Sequence, residues 1–235
     1  MADRFKGQTA LVAGGTGGLG RAVSLAFLKE GATVFVTYRA EDEFSALKQS
    51  AGAAAGSLRG FRADVTNEKE AAGLVQCVGR LDILVNAVGA YAGGTALWAT
   101  DLDIFERMMS LNVRSGFVLL RSAVPFMLRQ GAGAIIAISS RSAVDHAAEA
   151  SAYAASKAAA LAMMDSLAAD LKGTGVRANT VLPSIIDTEA NRKAMPGADF
   201  SKWPKPEEIA QVILFLASEE AKLIHGAAVP VYGSD

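Results

Sequence analysis

The feature that most constrains this chain is the alternation of short, nearly continuous apolar runs with longer stretches of helical periodicity. The segments "TALVA", "ATVFVT", "GFRADV", "LDILVNAVG", "GAIIAISS", "VRANTVLP" and "GAAVPVYG" read as strands. A strand covered on one face alternates apolar and polar residues. These runs do not alternate, so they belong in a parallel sheet covered on both faces. Helical patterns fall between them, at about residues 19–30, 41–50, 67–78, 101–129, 151–173 and 206–217. That order gives right-handed βαβ units and a doubly wound α/β sandwich of about seven strands.

Helix-start signals agree with this division. "TDLDIFERM" offers Thr100 as an N-cap with Asp103 three positions on, a capping-box pattern. In "KPEE", Pro206 suits a first helical turn because it needs no donor there, and the two acids suit the helix dipole. "AGAAAG" at residues 51–56 reads as a surface loop. With 235 residues, 51% of them hydrophobic, the chain can bury one large core, and no repeat or linker divides it. One domain over residues 1–235 is expected.

Charge and cysteine content exclude several function classes. Lys plus Arg number 23 against 24 Asp plus Glu, so there is no net basic field for nucleic acid or an anionic membrane. "MADRFKGQTA" carries charges where a signal peptide needs its apolar core, and no run approaches the length of a bilayer span, so a cytoplasmic protein is expected. Cys77 is the only cysteine and His146 and His225 the only histidines, which rules out an internal disulfide and leaves no basis for a structural metal.

The first strand runs into "LVAGGTGGLGRAV", a glycine-rich loop that opens the first helix. Gly15, Gly17 and Gly20 satisfy G-x-G-x-x-G, while Gly14, Gly18 and Gly20 satisfy G-x-x-x-G-x-G, and spacing alone leaves both open. Both ask for the same physics: positive φ in a tight turn, no Cβ where backbone meets pyrophosphate, and close helix packing beneath a positive helix terminus. Strand, glycine loop and helix in that order point to a bound dinucleotide. In such folds an acid at the end of the second strand holds the ribose 2′-hydroxyl, whereas an arginine accommodates a 2′-phosphate. In "ATVFVTYRAEDE" the strand ends near Thr37 or Tyr38 and the next charge is Arg39, which favours NADP(H) over NAD(H). Glu41 and Asp42 are the counter-case, although both read as the start of the next helix. Asp64 in "RADV" either meets the adenine edge or caps the helix from Thr66 onward.

Tyr153 and Lys157 stand four apart in "SAYAASKAAALAMMDSLAADL", on one helical face, so the phenol and ammonium can project into the same space. Such a pair on a helix is most often simply solvated. Here it falls in a larger pattern. "AGGTGGLG", "DILVNAVG", "LNV", "AISS", "YAASK" and "NTVLPSIIDT" occur in an order and spacing that resemble the short-chain dehydrogenase/reductase family over nearly the whole chain. The resemblance implies a catalytic tetrad of Asn112, Ser140, Tyr153 and Lys157. Ser140 lies thirteen residues before the tyrosine, as that family's serine does, with Ser139 as the runner-up. It implies that Tyr153 exchanges a proton with substrate, that Lys157 holds both ribose and phenol, that Ser140 stabilises charge on the substrate oxygen, and that Asn112 interrupts its helix and holds a water.

Cofactor contacts implied by the same resemblance fall on Gly14, Thr16, Gly18, Leu19 and Gly20 in the loop, and on Arg39, Asp64 and Val65 beside the adenosine. They continue at Asn86, Ala87 and Gly89, with Pro183, Ile186 and Thr188 near the nicotinamide, besides Tyr153 and Lys157. Three departures stand out: "NAVG" for Asn-Asn-Ala-Gly, Ser184 in place of a common glycine, and a tail "VYGSD" without the frequent Asp-Gly-Gly. The glycine loop also lacks the basic residue many NADP-preferring members carry, so the NADP(H) expectation rests on Arg39. Residues 188–205 fall where the family has its substrate lid, with Arg192, Lys193 and Trp203 as candidate substrate contacts, and Arg141, His146 and Tyr91 border the expected pocket. The resemblance thus implies a single-domain Rossmann fold and an NADP(H)-dependent reductase of a ketone or aldehyde, with 3-oxoacyl substrates among the candidates, assembled as a homotetramer; the alternative is a dinucleotide-binding redox sensor without chemistry.

Overall fold

The computed structural model describes residues 3–234. Strands β1 (Thr9–Ala13), β2 (Thr33–Tyr38), β3 (Leu58–Arg62), β4 (Ile83–Asn86), β5 (Gly133–Ile138), β6 (Val176–Pro183) and β7 (Ala228–Val231) alternate with helices α1 (Gly18–Lys29), α2 (Glu41–Ala51), α3 (Glu68–Val78), α4 (Leu102–Met109), α5 (Ser115–Gln130), α6 (Ser151–Asp170), α7 (Glu189–Ala194) and α8 (Pro206–Ala217). The strands form one sheet in the order β3-β2-β1-β4-β5-β6-β7, every adjacent pair parallel. The order reverses between β1 and β4, which opens a crevice at their carboxyl ends, where ligands of open α/β sheets bind.

The uninterrupted apolar runs follow from this layering. Ala10 and Val12 of β1 join Val34, Val36, Val85 and Ile136 in a core closed by Val23 and Phe27 of α1 and Ile213 and Leu214 of α8. Leu11 and Ala13 point to the other face, where Leu84 and Ile135 meet Leu74 of α3, Leu119 and Met127 of α5, and Met164 of α6. Successive strand residues therefore bury on opposite sides, and both must be apolar. Phe27 is fully buried, with Phe5 edge-on to its ring at 5.0 Å.

Several local expectations are corrected. Thr100 does not cap α4: its hydroxyl donates to the carbonyls of Ala96 (3.1 Å) and Thr95 (3.3 Å), because residues 97–99 already form a 3-10 turn. α4 begins after Asp101, which makes no side-chain cap. The long helix expected over 101–129 is interrupted by a π-helical segment at Ser110–Arg114, and "AGAAAG" lies in a 3-10 stretch, Gly52–Ser57. At α8 the expected start holds: Pro206 occupies the first turn and Glu208 accepts from the Lys205 amide at 2.8 Å. Among the described residues, no helix is long and apolar enough to cross a membrane.

Phe27→Ala removes a fully enclosed ring and is expected to cost about 3–5 kcal/mol, read as a lowered urea midpoint. A change below about 1 kcal/mol would show that the contact between α1 and the sheet tolerates a cavity.

Candidate active site

The loop after β1 is built around glycine. Gly14 adopts φ +74°, and its amide donates to the Thr37 hydroxyl at 2.8 Å, tying the turn to β2. A Cβ on Gly20 would collide with the Gly14 carbonyl oxygen, and one on Gly18 would stand 2.8 Å from the Thr188 methyl. Gly17 meets nothing closer than 3.5 Å and lines the cleft beside the loop, so the fold itself demands glycine at Gly14, Gly18 and Gly20. Both spacings keep members with such a demand. Gly15 is needed for a different reason, since a Cβ there would come within 2.5 Å of Val36. The N-cap of α1 is Gly17, with no side-chain cap, so the first-turn amides keep their donors for a ligand.

Beside this loop lies a cleft of about 340 Å³ at the carboxyl ends of β1 to β4. Gly14, Thr16, Arg39, Asp64, Val65, Ala87 and Gly89 all line it, so seven expected cofactor residues share one space. Asp64 accepts from the Thr66 amide (2.9 Å) and hydroxyl (2.8 Å), the amide bond being the larger reason its carboxyl is held below the usual range. The cap of α3 is instead Asn67, accepting from Lys69 N and Glu70 N. Asn86 and Leu19 are buried and do not line the cleft. Asn86 accepts from Val88 N at 3.3 Å and braces the turn. Pro183 is buried at the end of β6, and the Ile186 carbonyl accepts from the Asn191 side chain at 2.8 Å. Thr188 caps α7, and its methyl packs on Gly18, which brings this segment to the glycine loop.

The four residues of the expected tetrad converge at the end of β5. The chain leaves that strand through Ser139 and Ser140, and α6 returns with Tyr153 in its first turn and Lys157 one turn later. Lys157 is 6% exposed. Its ammonium donates to the Ile138 carbonyl at 3.0 Å and lies 5.9 Å from the centroid of the Tyr153 ring. Burial lowers its pKa to about 8. The Tyr153 phenol is pushed up by burial first and by the neighbouring Tyr91, and is pulled down by the Ser140 hydroxyl beside it. Ser140 also accepts from Ser142 N at 3.1 Å. The Ser139 hydroxyl donates to the Lys157 carbonyl at 2.9 Å, so it fastens α6 to the strand and Ser140 is the serine that meets the phenol.

Asn112 sits in the π-helical segment, consistent with an interrupted helix. Its Oδ1 accepts from Ala90 N (2.9 Å), and its Nδ2 donates to Ala90 O (3.0 Å) and Ser156 Oγ (2.9 Å). Ser156 in turn donates to the Tyr153 carbonyl at 2.7 Å. The carboxamide therefore clamps the loop after Gly89 to the turn that carries Tyr153. A Cβ on Gly89 would stand 2.9 Å from Asn112 Oδ1 and 3.1 Å from Lys157 Nζ, so a glycine is needed for the lysine to occupy this seat.

Other pocket-bordering residues divide. Tyr91 packs edge-on against Tyr153, centroids 4.9 Å apart, a contact that sequence reading placed only near the pocket. Arg192 pairs with Asp187 (2.7 Å) and lies over the Phe200 ring, Lys193 pairs with Glu189 (2.7 Å), and Trp203 is buried. These three are engaged within their own segment. Arg141 pairs with Asp145 and lies over Tyr232, and the exposed His146 shares a hydrogen bond with the Ser142 carbonyl. Ser184, the departure from glycine, donates to the Tyr232 carbonyl at 2.8 Å and anchors the tail.

A doubly wound parallel sheet whose first turn is a glycine cradle, opening on a buried Tyr-Lys pair, defines a dinucleotide-dependent oxidoreductase class. The family description "short chain dehydrogenase" matches residues 8–199, and the chain belongs to that family. It is 30% identical to a 3-oxoacyl-(acyl-carrier-protein) reductase of Thermotoga maritima, covering 98% of each chain. It is 32% identical to 2-(S)-hydroxypropyl-CoM dehydrogenase 3 of Xanthobacter autotrophicus, covering 99% of this chain and 98% of that one. A short-chain dehydrogenase/reductase structure from Mycobacterium ulcerans superposes with TM-score 0.93 at 28% identity, covering 100% of this chain and 90% of the other. A structure of ElxO with NADP bound gives 0.91 at 26%, covering 96% and 97%.

Gly89→Ala is expected to displace the Lys157 head and cut turnover by about tenfold or more while the fold survives, checked by steady-state kinetics beside circular dichroism. Undiminished turnover would mean that the lysine's seat has slack.

Proposed function

We propose that this chain is an NADP(H)-linked oxidoreductase that interconverts a ketone or aldehyde with an alcohol, Tyr153 exchanging the proton. The observation that carries the reading is the Tyr153 phenol beside the Ser140 hydroxyl, with the buried Lys157 one helical turn away. A bound nicotinamide dinucleotide supplies or accepts the hydride. Gly14 and the uncapped first turn of α1 fit its pyrophosphate, Gly18 and Gly20 let Thr188 and the loop backbone pack close behind, and Leu19 is buried in the same turn. Arg39 faces its 2′-phosphate, and Asp64, Val65, Ala87 and Gly89 wall the adenosine side. Asn86 supports that wall, and Pro183 and Ile186 border the nicotinamide end.

For a phenol to work near neutral pH its pKa must fall from ~10 toward ~7, about 4 kcal/mol of preferential phenolate stabilisation. An ammonium at ~4 Å supplies ~1 kcal/mol in water but ~4 kcal/mol at an effective dielectric near ~20. Lys157 is buried, which supplies the lower dielectric, and its head lies 5.9 Å from the centroid of the Tyr153 ring. Ser140 donates to the substrate oxygen as negative charge gathers there. Asn112 acts as a positioning residue, since its carboxamide is committed to Ala90 and Ser156. A 3-oxoacyl-type substrate is supported by the Thermotoga relative, and NADP(H) by Arg39 and the NADP-bound neighbour. Residues 188–205 form the lid over the substrate. A homotetramer is favoured by the exposed apolar face of Trp98, Leu102, Phe105 and Phe117 around α4 and α5.

Tyr153→Phe is expected to lower carbonyl reduction by about 10³-fold or more and leave cofactor affinity within about twofold; a mutant with unchanged turnover would falsify the proton role. The pH profile gives a second check. Lys157 loses its proton as pH rises through about 8, so kcat/KM for the reduced cofactor, which reports the free enzyme, should fall above that value. A profile level from pH 6 to pH 10, as a rough working range, contradicts the assignment.

A further inference from the structure

The acid that bears on cofactor choice is neither of the two that stand nearest Arg39 in the sequence. The Glu41 carboxylate is taken by the Tyr38 phenol at 2.8 Å, and the Tyr38 ring lies flat on Phe44 at 4.8 Å and 7°. That stack and hydrogen bond fix the first turn of α2 against β2. Asp42 does not line the cleft, but Glu43 does, together with Thr16, Arg39 and Asp64. Glu43 occupies the third position of its helix, where a glutamate commonly turns back to the N-cap amide. Glu208 does this in α8. Glu43 instead leaves its own helix and accepts from the Thr16 hydroxyl in the glycine loop, at 2.9 Å. Arg39 forms no hydrogen bond or ion pair with a described residue, and its charge is felt by Asp64.

The arginine read as the 2′-phosphate partner thus shares its cleft with a carboxylate clamped to the glycine loop. We propose that Glu43 is a cofactor-selectivity residue, whose carboxylate on Thr16 opposes a 2′-phosphate beside Arg39 and narrows the preference for NADPH over NADH. The inference rests on the reading of this cleft as the adenosine site. A dianionic phosphate meets like charge from Glu43 and attraction from Arg39, whereas an uncharged ribose hydroxyl feels neither strongly. Acids in a first helical turn are also favoured by the helix dipole, and that benefit is the same whichever cofactor binds.

Glu43→Gln tests this, because glutamine keeps an acceptor for Thr16 and removes the charge. Dissociation constants for NADPH and NADH, read by ligand fluorescence and calorimetry without substrate, are expected to diverge. NADPH should tighten by about fivefold or more, with NADH changed by about twofold or less. If both cofactors move together, or neither moves, Glu43 merely braces the loop and the proposal is overturned; weaker NADPH binding overturns it as well. Arg39→Ala, measured in parallel, examines the underlying reading separately. Unchanged NADPH affinity there would remove Arg39 from the phosphate site, whereas loss of NADPH affinity with no response to Glu43→Gln would leave that site standing and defeat only the role of Glu43.

Discussion

A single buried ammonium organises the centre of this molecule. Lys157 is drawn out of water at the carboxyl end of β5, where the Ile138 carbonyl is its hydrogen-bond acceptor. Burying a charge is costly, and the depressed pKa is the measure of that cost. The surrounding structure keeps the seat from collapsing. Ser139 binds the Lys157 carbonyl, Asn112 holds the Gly89–Ala90 loop against α6 through Ser156, and Gly89 leaves the space a side chain would fill. Each contact joins segments far apart in sequence. The result is a phenol and an ammonium on one face of a helix whose first turn cannot drift.

The sheet order explains why this seat meets a dinucleotide cleft. Reversal of winding between β1 and β4 gathers the glycine loop, the end of β2 and the turn after β4 at one edge. The β5-to-α6 crossover then delivers Tyr153 and Lys157 beside Gly89, which lines that cleft. Free-standing burial raises the Tyr153 pKa, and Ser140 offsets only part of that rise. In the proposed function the remaining shift comes from positive charge, which is why the lysine must sit in a dry pocket to be effective.

The layered architecture was legible because strands buried on both faces cannot alternate in polarity; the central strands β1 and β4 obey that rule, whereas the edge strands β3 and β7 keep exposed positions such as Arg59, Arg62, Ala228 and Pro230. The glycine spacing is ambiguous on paper, and the structure shows why: Gly15 and Gly18, one from each spacing, are both crowded by neighbouring side chains, and Gly20, common to both, lies against the Gly14 carbonyl. Thr100 misled, because a capping pattern is local and the preceding 3-10 turn claimed its hydroxyl. The same limit explains Glu43 and Glu208. Both stand at the third position of a helix, yet one bonds its own N-cap region and the other a loop far upstream. Nothing in a local window separates them. Asn112 carried meaning only through the family resemblance, since a π-helical segment has no propensity signature of its own. Tyr91 against Tyr153 had no signal beyond a loop expected near the pocket.

The most direct test of the central claim follows the hydride itself. NADPH deuterated on the transferred C4 position would be offered with a panel of 3-oxoacyl thioesters, ketosteroids, quinones, sugars and small ketones, and the products analysed by mass spectrometry and NMR. The account expects deuterium on the former carbonyl carbon of at least one product alcohol, with the hydroxyl proton drawn from solvent. Tight binding of the cofactor with no deuterium in any product across the panel would contradict it and favour a dinucleotide-binding protein without chemistry.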